Sequence, residues 1–207
     1  MISLNQIRRR ARHLLHRLHD DRAAQIVEFA VSLPLLVVFV VGIFDFSNAF
    51  TIKQKLTNIA RDAAREAASD PANDLGNTAT VPASVVDAFW VVDNYLVANK
   101  INDCGITVPT TPSSTLTWTA AAPGGCVPGI RSLTINRGYY FPANTAQIGA
   151  SNCTPQAVAS SQTAIISTCV SIQYNYQWRF GRVASLLGPS TSLPGTITVM
   201  AVAMNEN

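Results

Sequence analysis

Histidines, cysteines and carboxylates build most catalytic and metal sites, and this 207-residue chain keeps them apart. His13, His16 and His19 fall three residues apart in an N-terminal tail. That spacing lines one face of a helix and could hold a metal weakly, but the tail offers no structured partner, so no metal site is expected. Beyond Phe50 there is no histidine at all. The remainder therefore cannot assemble a Ser-His-Asp or Cys-His nucleophile. From Asp70 onward the carboxylates Asp70, Asp74, Asp87, Asp93, Asp103 and Glu206 are scattered singly. No phosphate-cradling glycine loop or zincin motif occurs. The inventory predicts no catalytic residue, no cofactor and no small-molecule substrate; the chain reads as not an enzyme.

Cys104, Cys126, Cys153 and Cys169 form no CxxC pair, and their spacing does not suggest zinc. Two disulfides in an oxidising compartment are the economical reading. Three pairings are open. Cys104–Cys126 with Cys153–Cys169 is favoured because each bridge closes a short loop independently of the other. Four reduced, buried thiols are the alternative.

Those bridges need an exported domain, and the sequence supplies a means of export. Residues 29–44, FAVSLPLLVVFVVGIF, carry no charge. Extending from Ile26 to Phe50 adds only Glu28 and Asp45, near the two ends. At about 1.5 Å per residue, roughly 20 helical residues cross the bilayer hydrocarbon. A cleavable secretory signal is the rival reading. Here the apolar run is long, and FDFSNAFTIKQKL continues it in helical rhythm rather than opening into a small-residue cleavage site. A retained anchor over 25–50 is expected, with the lipid bilayer as its first partner. Six arginines, Arg8, Arg9, Arg10, Arg12, Arg17 and Arg22, precede it against Asp20 and Asp21. That bias keeps tail 1–24 in the cytoplasm and sends the C-terminal part across. The net charge of +3 thus reflects the tail, and no basic face for nucleic acid is visible. Pro34 removes an amide bond inside the span and favours a mild kink. Glu28, a carboxylate at the edge of the span, either reaches the headgroups or pairs with a positive group of a neighbouring subunit.

Helical periodicity runs on. Ile52, Leu56, Ile59 and Ala63 recur in steps of four, three and four, with Ala60, Ala64 and Ala67 alongside. Lys53, Lys55, Arg61, Asp62, Arg65 and Glu66 take the remaining surface. The spacing predicts an amphipathic continuation over 51–70, ended by Pro71, with an exported domain over 71–207. A second helix is expected over 82–100, and short strands over 115–120 and 130–136. Residues 156–167 read as a short helix or irregular chain. The clearest strand is 169–180, where Val170, Ile172, Tyr174, Tyr176, Trp178 and Phe180 alternate with polar residues, one face apolar and one wet. Another strand is expected over 197–204, after a short segment around Leu186 and Leu187. The fold class is α+β: one N-terminal transmembrane helix, continued amphipathically, packed on a small antiparallel sheet.

Residues Arg22-Ala23-Ala24-Gln25-Ile26-Val27-Glu28-Phe29-Ala30-Val31, then Leu33-Pro34-Leu35-Leu36, resemble the N-terminus of TadE-like proteins. These are minor pseudopilins of the tight-adherence (Flp, type IVb) pilus system. Arg61-Asp62-Ala63-Ala64-Arg65-Glu66-Ala67-Ala68 continues the resemblance, which is specific over 22–68 and weak beyond. It implies a bacterial inner-membrane protein with a periplasmic domain, working with a prepilin peptidase, other pilin or pseudopilin subunits and the assembly platform. It also implies removal of the basic leader within Ala23, Ala24 and Gln25. A cut after Ala24 makes Glu28 the fourth mature residue, and a cut after Ala23 makes it the fifth, the family's position for the aligning glutamate. The family's usual residue before the cut is glycine, where this chain has alanine. Glu28, Phe29 and Pro34 would then take part in helix pairing between subunits. The alternative is a generic single-pass envelope adhesin or scaffold that keeps its N-terminus.

Overall fold

The structure is a computed structural model and describes residues 21–76, 80–114, 116–124, 126–142, 152–153, 164–179 and 194–206. The three histidines, residues 156–163, and Leu186 with Leu187 lie outside the described residues.

One helix, α1, runs without interruption over Asp21–Ser69, 49 residues that include Pro34. At 1.5 Å per residue it is about 74 Å long. Its second half carries the small-sided seam that the periodicity predicts. Ala49, Leu56, Ile59, Ala60, Ala63, Ala64, Ala67 and Ala68 are buried. Lys53, Arg61, Asp62, Arg65 and Glu66 are exposed. Because the seam is mostly alanine, the helix axis approaches its neighbours closely. A second helix, α2, covers Ala83–Ala98 and buries Val85, Ala88, Phe89, Val92 and Leu96. Its first free amide is satisfied at a distance: the Ala83 N–H donates to the Asp74 carboxylate at 2.7 Å.

Four strands follow: β1 Thr117–Ala121, β2 Gly129–Pro142, β3 Ala164–Asn175 and β4 Thr196–Met204. They pair in sequence order, each antiparallel to the next. The sheet is a meander, which needs only short-range connections. One face meets the helices. Leu133, Ile135, Val170, Ile172, Tyr174, Val199 and Ala201 join the alanine seam and α2 in a single core.

Several elements differ from the sequence expectation. β2 continues six residues beyond 136, because a bulge between Asn136 and Tyr139 carries the pairing past an interruption in the alternation. β3 begins at Ala164, so 164–167 is strand rather than helix or irregular chain. It ends at Asn175 rather than 180; the Tyr176 N–H still donates to the Gly195 carbonyl at 2.8 Å, while the Tyr176 and Trp178 side chains make contacts with α1. The second face of the sheet is not uniformly wet. Ser167, Cys169, Ser171 and Asn136 are buried there. The Cys153 segment lies across it, tied by the Cys153–Cys169 disulfide and by Asn136 Nδ2 donating to the Cys153 carbonyl at 3.0 Å.

The other bridge is Cys104–Cys126, so the pairing is the short-loop one. Gly129 packs against it, and a Cβ at that position would collide with Cys104 Sγ.

Candidate functional site

α1 has two parts that face different solvents. Between Ile26 and Phe46 it exposes large apolar side chains around its whole circumference, Phe29 at 64 % and Phe44 at 71 % among them. This is a stretch long and apolar enough to cross a bilayer, and its most apolar 18 residues bury none of their number in the protein. In water such a sleeve would far exceed the apolar patches that soluble chains tolerate. The chain therefore has the build of a single-pass membrane anchor.

The sequence-predicted site residues cluster at the start of this sleeve. Ala23, Ala24 and Gln25 lie in the first turns of α1. Glu28 is exposed, four residues after Ala24 and so one turn further along the same face. About 6 Å of rise separates the two positions. Phe29 is exposed beside it, and Ser32 Oγ donates to the Phe29 carbonyl at 3.3 Å. Pro34 follows, exposed, where it leaves the Ala30 carbonyl without its usual donor. The cysteines belong to the sheet domain and are not part of this cluster.

Where the sleeve ends, the sheet grips the helix. Asp45 is buried although its neighbours Phe44 and Phe46 are exposed. The Tyr176 hydroxyl lies 2.8 Å from Asp45 Oδ1 and 3.1 Å from the Asp45 carbonyl oxygen, and it donates to the carboxylate. Asn48 Nδ2 in turn donates to the Tyr176 oxygen at 3.1 Å. Burial, and then the bond to Asp45, push the phenol above its ordinary value. The Trp178 ring stands 5.0 Å from Phe46 and 4.8 Å from Tyr176, and its Nε1 donates to the Pro194 carbonyl at 2.8 Å. An aromatic cluster with polar tips suits the boundary between hydrocarbon and water. Tyr176→Phe keeps the ring and removes only the hydroxyl. It should destabilise the protein by about 1.5–3 kcal/mol, since a buried carboxylate loses a donor. Denaturant unfolding in detergent, followed by tryptophan fluorescence, measures this directly.

At its far end α1 is closed by Arg137. This side chain is fully buried. Its guanidinium donates to the Ala67 carbonyl, to Thr168 Oγ1 at 2.8 Å and to the Asp70 carbonyl at 3.0 Å. Helix C-termini leave carbonyls unpaired and carry partial negative charge, so a buried cation answers both needs. The Glu206 N–H caps the Ala68 carbonyl at 3.3 Å. Burial draws the guanidinium down from its ordinary value, while Asp70 and Asp74 oppose the shift.

At this end Asp87 and Asp74 lie within electrostatic reach of Asp70. Asp87 is exposed on α2 and Asp93 half-buried six residues later, which places them on different sides of the helix. Among the described residues, no three of His, Cys, Asp and Glu come together as metal ligands do. Burial is the main cause raising the Asp93 carboxyl, followed by repulsion from Asp103. Burial also leads for Asp70, followed by Asp87. A carboxyl held above its ordinary 3.8 gives its full stabilising contribution below that pH. The contribution is lost as pH rises through the raised folded value. Asp93→Asn should therefore raise the unfolding midpoint at pH 7 by roughly 1–2 °C, with the gain vanishing by about pH 3.5. Thermal scans of the two proteins at both pH values provide the check.

Sequence reasoning missed Arg137 and the Asp45–Tyr176–Asn48 junction. Faint signals existed: a lone cation inside the apolar run LTINRGYYF, and a carboxylate set in a membrane-length stretch.

The family model for TadE-like proteins matches residues 23–65, the sleeve and most of the alanine seam. No curated protein and no solved structure matches the chain.

Proposed function

With residues 23–65 read as a TadE-like segment, we propose that this chain is a non-enzymatic, minor pseudopilin-like component that helps assemble a tight-adherence type IVb pilus. The observation that carries the reading is the placement of Glu28. It is an exposed carboxylate at the start of an unburied apolar helix, one turn beyond the residues at which a leader would be cut. In this mechanism a prepilin peptidase removes the basic leader within Ala23–Gln25 on the cytoplasmic side. The new ammonium, at Ala24 or Gln25, then sits where hydrocarbon begins. Glu28 of one subunit neutralises the amine of the next, which sets their axial register before the sleeves pack side by side.

The rigid continuation of α1 transmits that register outward. The alanine seam, the Asp45–Tyr176 junction and the Arg137 cap hold the sheet domain at a fixed position along the helix. Domain placement then follows helix placement. The arginine bias supports a cytoplasmic N-terminus and a periplasmic sheet domain, anchored in the bacterial inner membrane. Affinity purification of the full chain from detergent-extracted membranes tests the role. The proposal expects other pilin-like subunits and the assembly platform to copurify. Recovery of the intact, leader-bearing chain without them would favour an anchored envelope adhesin or scaffold instead.

A further inference from the structure

The level at which α1 leaves the hydrocarbon coincides with a cleft. Twenty residues counted from Gln25 end at Phe44, about 30 Å along the helix and one bilayer core away. At that level a hollow of about 300 Å³ opens between α1 and the chain leaving β3, lined by Val41, Phe44, Asp45, Asn48 and Arg179. A second hollow of about 340 Å³ shares Asn48 and Arg179 and continues past Tyr176 and Trp178.

The lining is stratified. Val41 and Phe44 form an apolar wall on the membrane side. Above them stand an amide, a carboxylate and a guanidinium. Arg179 is exposed and makes no hydrogen bond or ion pair with any described residue. Asp45 is held from behind by Tyr176. Among the described residues the cleft sets one exposed cation and one carboxylate together, a pairing that fits a zwitterion better than an anion. Phosphate on a guanidinium forms a strong, charge-assisted pair, and an ammonium donor suits the carboxylate side.

We propose that this cleft seats the headgroup of a phosphoethanolamine glycerophospholipid from the membrane leaflet on the domain side. The phosphate lies on Arg179, the ammonium toward Asp45 and Asn48, and the upper acyl methylenes run along Val41 and Phe44. Headgroups of any leaflet lipid stand at this depth at very high local concentration, so a modest intrinsic affinity fills the cleft. Bound there, it bridges helix and sheet beside the Tyr176 junction and fixes the tilt of the domain over the bilayer. The inference rests on α1 as a membrane span and is independent of the pilus role.

The full chain in detergent micelles is titrated with short-chain phosphatidylethanolamine, phosphatidylglycerol or inorganic phosphate, with bound lipid read by native mass spectrometry. One saturable phosphatidylethanolamine is expected, with phosphatidylglycerol weaker and inorganic phosphate unable to displace it. Arg179→Ala should weaken binding about tenfold and Arg179→Lys less, with unchanged unfolding midpoints because the side chain is exposed. Equal lipid binding by wild type and Arg179→Ala would overturn the proposal. So would displacement by inorganic phosphate alone, which would leave a simple anion site. Alkaline extraction of membranes, run in parallel, separates failure of the cleft from failure of the span. A wild-type chain released by alkali would remove the span itself.

Discussion

Arg137→Ala is expected to lower the stability of the sheet domain by about 3–5 kcal/mol, the largest effect of any single side-chain change considered. Three causes add. The Ala67 and Asp70 carbonyls at the end of α1 lose their donor. Thr168 Oγ1 and Asn205 Oδ1 lose the guanidinium, keeping their own bond at 2.6 Å, while Asn205 Nδ2 keeps the residue 137 carbonyl at 3.4 Å. A cavity the size of an arginine opens between helix and sheet. Arg137→Met restores much of the volume and none of the hydrogen bonds, so about half of the loss should remain. Denaturant midpoints in detergent give both values. Equal stability of the arginine and methionine proteins would show that packing, and not capping, is what the residue supplies. The consequence reaches the proposed function, since a frayed α1 terminus would uncouple the sheet from helix position.

Glu28→Ala is the functional counterpart, and its profile is opposite. Glu28 is exposed and makes no hydrogen bond or ion pair with any described residue, so unfolding midpoint, disulfide formation and membrane insertion should match the wild type. Incorporation into the assembly machinery should fall about tenfold to a hundredfold, the range for losing a charge-assisted pair of roughly 1.5–3 kcal/mol. Glu28→Gln should behave as Glu28→Ala, because it keeps the shape but not the charge. Glu28→Asp should recover part of the loss. Site-specific crosslinking between subunits and piliation counts provide the readouts. Normal crosslinking in Glu28→Ala would remove the proposed register mechanism while leaving the anchor intact.

Local periodicity made much of the fold legible. The seam Ile52, Leu56, Ile59 and Ala63 follows from 3.6-residue spacing; Leu56, Ile59, Ala63 and their alanine neighbours are buried, and Ile52 partly so. α2 and β4 lie within a residue or two of where their patterns place them. The short-loop disulfide pairing is likewise the one found. Contacts between residues distant in sequence were not legible. Asp45 and Tyr176 are 131 residues apart, and Arg137 and Ala67 are 70 apart. No window of sequence contains either pair. The alternation through Tyr176 and Trp178 continues the strand pattern, yet the Tyr176 hydroxyl finds its partner in Asp45 of the helix and the Trp178 ring packs on Phe46. The bulge at Asn136–Tyr139 hid the true length of β2 by breaking its alternation. Of the candidate site, Glu28 and Ala23–Gln25 were named from the resemblance and from their place at the start of the apolar run, while the junction needed the fold.

The most direct test of the central claim is the N-terminal residue of the membrane-inserted protein in its native cell, by intact mass and terminal sequencing. Leader removal predicts a chain beginning at Ala24 or Gln25, with the free amine one turn or less from Glu28. A chain beginning at Met1 beside an active prepilin peptidase would contradict it, leaving Glu28 without its amine and the protein as a stably anchored envelope component.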